Sequence, residues 1–299
     1  MLSPLQHFAL PIIFSALALG IYDILKKHSV AGNSVMPVLF WATFSGLLFF
    51  CAGLAISGRY ALVMMPGQKT LWLILLKSVI VTTSWVCVYY SMRDLPLSLA
   101  APIRASAPLW TLAGSLFIFG EIPTLLQGTG MAAVFAGFIL FSSLGHSEGF
   151  KWHSKAMMLI IAGTLAGAAS ALYDKFLLNT LAIAKEAVQF YFSLYLTLIL
   201  GAAMLVRKYF FCRGTAFVWK WSIPLTGIML IAADCLYFYA LSMPDTRISI
   251  LSFLRRSSAV IPFLYGIVFF REKNLCRKLA ALILILTGAA ILAFAPSLT

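Results

Sequence analysis

Ten apolar stretches, cut apart by charged or Pro/Gly-rich gaps, occupy most of this 299-residue sequence, at 8–26, 35–57, 71–92, 97–119, 125–144, 157–180, 187–206, 222–243, 248–270 and 277–295. Each is close to the roughly 20 residues that a helix needs to cross a hydrocarbon core about 30 Å thick. The gaps are short, the longest lying around Arg207 to Trp221, so no loop can hold a soluble domain of its own. The pattern predicts an all-α integral membrane protein of ten transmembrane helices, whose function resides within the lipid bilayer.

Composition agrees. With 62% hydrophobic residues, 10% charged residues and a mean hydropathy of +0.97, the chain is far from a soluble globular domain. A net charge of +13 raises the question of nucleic acid, but there is no basic domain to bind it, and no nucleic-acid partner is expected. The loops after helices 1, 3, 5, 7 and 9 carry most of the Lys and Arg, whereas the opposite side carries Arg59, Lys69, Lys185 and Arg247. That bias predicts cytoplasmic odd-numbered loops and both termini outside. No Lys or Arg precedes Ala16-Leu17-Ala18, so the first helix is expected to be retained rather than cleaved. Three cysteines fall in helices (Cys51, Cys87, Cys235) and two in loops (Cys212, Cys276), with no Cys-x-x-Cys spacing, so neither disulfides nor a metal site nor a cofactor is expected.

The sequence repeats. Tyr22-Asp23 recurs as Tyr173-Asp174, 151 residues on, and at the same offset Ser98, Arg104, Ser106, Glu121 and Gly137 meet Ser249, Arg255, Ser257, Glu272 and Gly288. Phe40-Trp41 meets Phe190-Tyr191 after a slip of one residue. Residues 1–150 and 151–299 thus read as two five-helix repeats. Five is odd, so the second copy enters the membrane from the other side. Inverted repeats of this kind are common in secondary transporters, with substrate near the midplane between the halves.

The stretch "APLWTLAGSLFIFGEIPTLLQGTGMAAVFAGFIL", residues 107–140, resembles the pattern that ends each half of the EamA family in the drug/metabolite transporter superfamily. Pro108, Gly120-Glu121, Gly130 and Gly137 fit that pattern. In the second half Glu272 and Gly288 fit, while Ala259, Arg271 and Ala281 replace the proline and two glycines, and Pro262 is displaced by three positions. The resemblance implies two EamA-like repeats, 1–150 and 151–299, and a secondary transporter, an exporter or permease for a small polar metabolite such as an amino acid or amine. It also implies an integral, multi-pass protein of a bacterial inner (cytoplasmic) membrane.

Charge within membrane helices is costly and marks sites that face protein or water. Asp23 lies near the loop after helix 1, and Arg104 about 10 Å in from the loop after helix 3 at 1.5 Å per residue. Asp174, late in helix 6, and Arg255, early in helix 9, mirror them toward the other surface. Asp23 with Arg104 and Asp174 with Arg255 are therefore expected to pair as alternating gates, the competing reading being static ion pairs that fix helix packing. Asp234 stands about twelve residues into helix 8, near the midplane, opposite the neutral Thr83-Ser84. A lone carboxylate at that depth is suited to proton coupling or to holding a substrate amine, unless it bonds to Arg255, Arg256 or a tyrosine hydroxyl.

Trp85, Tyr89, Tyr237, Tyr239, Trp41 and Tyr191 are candidate walls of a substrate cavity, against ordinary packing. Glu121 and Glu272 stand where helices 5 and 10 begin, favourable for a carboxylate beside a helix N-terminus. Lys77 is expected to snorkel to the surface, and Lys175 and Arg256 to snorkel or join the polar network. Lys175 has Ile24 opposite it in the first repeat, and the symmetry leaves it unexplained. A carrier for an anionic metabolite is the second reading of the charges, favoured if Arg104, Arg255 and Arg256 are unpaired. A membrane-embedded lipid-modifying enzyme is remote, because no acid or histidine cluster appears. The expected partners are a small-molecule substrate, protons and the lipid bilayer, with oligomeric state left open.

Overall fold

The computed structural model describes residues 4–63, 66–94, 103–104, 106–143, 155–210, 217–243, 246–259, 261, 265 and 275–294. Every regular element among them is helical: α1 (Pro4–Val30), α2 (Val35–Ser57), α3 (Gln68–Asp94), α4 (Ala107–Phe119), α5 (Leu125–Ser143), α6 (Lys155–Lys175), α7 (Lys185–Phe210), α8 (Ser222–Leu241), α9 (Ile248–Arg256) and α10 (Leu275–Phe294), with short 3-10 and π turns between them. Among the described residues five stretches are long and apolar enough to cross a membrane, Val35–Ser57, Gln68–Val88, Lys155–Thr180, Lys185–Val206 and Ser222–Leu241. Ala107–Phe119, Leu125–Gly137 and Ile283–Leu292 are apolar but shorter. Ser98, Cys212, Pro262, Arg271 and Glu272 lie outside the described residues.

Several hydroxyls inside these helices are satisfied locally. Thr43, Ser78, Thr82, Thr164 and Thr197 each donate to the carbonyl four residues back, at 2.7 to 2.9 Å. Their hydroxyls therefore bring no unpaired donor into an apolar setting. The outward faces are apolar instead, with Ile56 89% and Phe117 90% exposed. In water that surface would drive aggregation, whereas in lipid it is ordinary.

The main packing pairs are α1 with α8, α3 with α6, and α5 with α10; α2 lies against α7 and α8, α3 also against α7, and α4 against α6 and α9. Ile74 and Val81 of α3, Val188 and Phe192 of α7, Tyr237 and Phe238 of α8, and Leu251 and Phe253 of α9 meet in one buried core. At one end the loop after α1 joins the segment before α8, where Asn33 bonds both backbone groups of Val218 at 2.7 and 2.9 Å. Lys220 donates there to the carbonyls of His28 and Ala31. At the other end Tyr191 donates to the Val63 carbonyl at 3.3 Å, and Arg247 donates to the Ile122 carbonyl at 2.7 Å.

α5 and α10 cross at glycines. A Cβ on Gly130 would stand 3.1 Å from the Gly288 carbonyl oxygen, one on Gly288 2.7 Å from the Gly130 oxygen, and one on Gly137 3.0 Å from the Ala281 oxygen. Gly128, on another face of α5, has nothing within 4 Å. Gly288→Leu is therefore expected to cost about 1–3 kcal/mol through overpacking, read as a lower thermal midpoint in detergent. Gly128→Ala is expected to leave the midpoint unchanged or slightly raised.

Candidate functional site

A cavity of about 330 Å³ lies among α1, α3, α4, α6, α8 and α9, and Phe192 reaches it from α7. Its lining carries five cations, Lys26, Lys77, Arg104, Arg255 and Arg256, and three acids, Asp23, Asp174 and Asp234.

Lys77 is 1% exposed. Its Nζ is 2.5 Å from Asp174 Oδ1 and lies over two rings, 4.3 Å from the centroid of Phe192 and 4.0 Å from that of Phe238. One ammonium on α3 is thus held by α6, α7 and α8. The expected snorkelling does not occur, and depth explains why: Lys77 is nine residues past Gln68, about 14 Å along the helix axis, too far for its side chain to reach the surface. A charge so placed needs its partner, since breaking a buried pair costs about 3–5 kcal/mol.

A second ion pair closes the same end. Glu121 precedes α5, but its carboxylate accepts from the Ile248 and Ser249 backbone N–H groups at 3.0 and 3.3 Å and from the Ser249 hydroxyl at 3.0 Å. It thereby satisfies orphan donors at the start of α9, and the helix-terminus chemistry expected for Glu121 acts on another helix. α5 has its own cap: Gln127 N–H donates to Thr124 Oγ1 and Thr124 N–H to Gln127 Oε1, at 3.1 and 3.0 Å. Lys175, which repeat symmetry left unexplained, forms the ion pair with Glu121 and donates to the Thr246 carbonyl at 3.1 Å.

The opposite end is more open. Asp23 pairs with Lys26 of its own helix at 3.1 Å, and these side chains are 39% and 24% exposed, against 9% and 2% for Asp174 and Lys77. Arg255 pairs with Asp234 and lies with its guanidinium 4.2 Å from the centroid of the Tyr237 ring. The pairings expected from the sequence, Asp23 with Arg104 and Asp174 with Arg255, are not those of this structure. Asp174 takes Lys77 and Arg255 takes Asp234, because α3 and α8 bring those partners closer.

Asp23, Arg104, Asp174, Arg255, Asp234, Trp85 and Tyr237 all line the cavity. Tyr239, Trp41 and Tyr191 do not. Tyr239 is two residues, and so about 200° around the helix, from Tyr237; it is 46% exposed, its ring 5.5 Å from Lys185 Nζ. Trp41 packs edge-on to Trp219 at 5.9 Å, and Tyr191 bonds to the Val63 carbonyl. The side chain of Tyr89 lies outside the described residues. Sequence reasoning missed Lys77 and the Glu121–Lys175 pair as site elements; the depth of Lys77 was the available signal.

Apolar helices stacked around a charged cavity define an integral, multi-pass membrane protein. Residues 8–143 match the model of the EamA-like transporter family, within the drug/metabolite transporter superfamily. Members of that family are membrane transporters of the drug/metabolite type and not enzymes. No curated protein matches the sequence. A solved crystal structure of a protein is similar with a TM-score of 0.77 at 16% identity, over 97% of this chain and 99% of its own, which establishes a shared fold.

The two ends should differ in stability. Lys26→Gln, at an exposed pair, is expected to cost no more than about 1 kcal/mol. Lys175→Gln, which strands buried Glu121, is expected to cost about 3–5 kcal/mol. Denaturant unfolding in mixed micelles compares the two.

Proposed function

We propose that this protein is a secondary transporter that carries a small polar metabolite through the cavity by alternating access, with 1–150 and 151–299 as inverted five-helix repeats. The reciprocity of the α5/α10 crossing supports the repeat. Gly130 meets Gly288, the 151-offset counterpart of Gly137, and Gly137 meets Ala281, the counterpart of Gly130. Contacts that exchange in this way are what a two-fold relation generates. The helix pairs exchange likewise: α1 with α8 corresponds to α6 with α3, and α4 with α6 to α9 with α1.

The observation that carries alternating access is where the ion pairs run. At the shut end they join the halves, Lys77 to Asp174 and Glu121 to Lys175. At the open end Asp23 pairs within its own helix, and Arg104 and Arg256 form no ion pair among the described residues. Rocking one repeat against the other would break the first set and close the second end. Asp174 and Asp23 then act as equivalent gate acids, with Arg104 facing Asp23 when its end closes. Lys/Arg bias supports a cytoplasmic open end in this state. Asp234, already matched by Arg255, serves proton coupling only in a state where that pair parts.

Access can be read without knowing the substrate. In a background lacking the five native cysteines, Thr111→Cys in the cavity is expected to react with a membrane-impermeant thiol reagent mainly from the side of the α1–α2 loop. Adding Lys77→Gln should shift reactivity toward the opposite side. Reaction from one side only in every variant would contradict alternating access.

A further inference from the structure

We infer that the cavity binds small anions carrying a carboxylate or phosphate group, with Arg104 and Arg256 as the residues that hold that group. The inference rests on the transport reading only for the fate of the ligand; the binding site stands on the charges themselves.

Each cavity acid has its own cation, Asp23 with Lys26, Asp174 with Lys77 and Asp234 with Arg255. Two positive charges remain, Arg104 and Arg256, both on the cavity lining and neither hydrogen-bonded nor ion-paired among the described residues. They interact electrostatically with each other, and Arg256 also with Asp23. Two like charges beside a low-dielectric wall repel unless an anion stands between them. Guanidinium groups suit that task, since their planar donors match carboxylate and phosphate oxygens in pairs. Arg255 adds a buried Nε–H with no acceptor among the described residues.

The pair also bridges the fold. Arg104 stands ahead of α4 in the first half and Arg256 at the end of α9 in the second, so an oxyanion between them joins the halves at the open end as Glu121 and Lys175 do at the shut end. Without the anion, Arg104 and Arg256 resist closure. A substrate amine finds Asp234 and Asp174 already neutralised. Sequence alone leaves the charge of the substrate open, because it does not say which charges cancel; the structure pairs the acids and leaves the arginines.

Thermal unfolding of the purified full chain tests this, at constant ionic strength, against titrations of inorganic phosphate, succinate and ethylamine. The expected result is a saturable rise in midpoint with phosphate or succinate and none with ethylamine. Phosphate alone would assign a phosphate ester, succinate alone a carboxylate. Arg104→Gln and Arg256→Gln should each weaken the apparent affinity about tenfold or more. A saturable rise only with ethylamine, no saturable rise with either anion, or an anion response undiminished in the Arg104→Gln/Arg256→Gln double variant would overturn the inference. A linear rise shared by wild type and variants is the general effect of excluded salts and counts as no binding. Failure here leaves the transport reading intact, because that reading is scored by sided thiol labelling.

Discussion

The Lys77 ammonium is the constraint on which the rest of the structure depends. It sits on α3 with almost no exposure, and Asp174, Phe192 and Phe238 close around it from α6, α7 and α8. A charge in that position is tolerated only with its counter-ion and its rings in place. Three helices of the second half are therefore held to one helix of the first, and the cavity has a floor.

The Glu121–Lys175 pair repeats the same physics one residue further along α6. Glu121 is shared between an ammonium and the N-terminus of α9, so the loop before α5, the end of α6 and the start of α9 are tied at one carboxylate. At the opposite end the halves are linked by hydrogen bonds, those of Asn33 and Lys220, while Asp23 pairs within its own helix. The two ends of the cavity therefore differ in how their charges are matched.

The apolar periodicity of the sequence made the all-helical character and the order of the helices legible, whereas the close crossing of α5 and α10 at Gly130, Gly137 and Gly288 was not read from it. The cavity was legible in part. Asp23, Arg104, Asp174, Asp234 and Arg255 were identified from depth, yet their partners were not. Repeat symmetry is the reason: it equates Asp23 with Asp174 and Arg104 with Arg255, and so suggests pairs that respect it. The partners in the structure break it, since Lys77 stands opposite Ile228, Lys175 opposite Ile24, Lys26 opposite Leu177 and Asp234 opposite Thr83. Helix rotation was also invisible, which is why Tyr237 faces the cavity and Tyr239 does not.

A double-mutant cycle on the buried pair tests the central claim most directly. Unfolding free energies would be measured for Lys77→Met, Asp174→Leu and the combination. The account predicts that each single change loses about 3–5 kcal/mol by stranding a buried charge, and that the double variant falls within about 1 kcal/mol of the wild type. Losses that simply add in the double variant would contradict it, because the two charges would then be independent and the floor of the cavity would not rest on their contact.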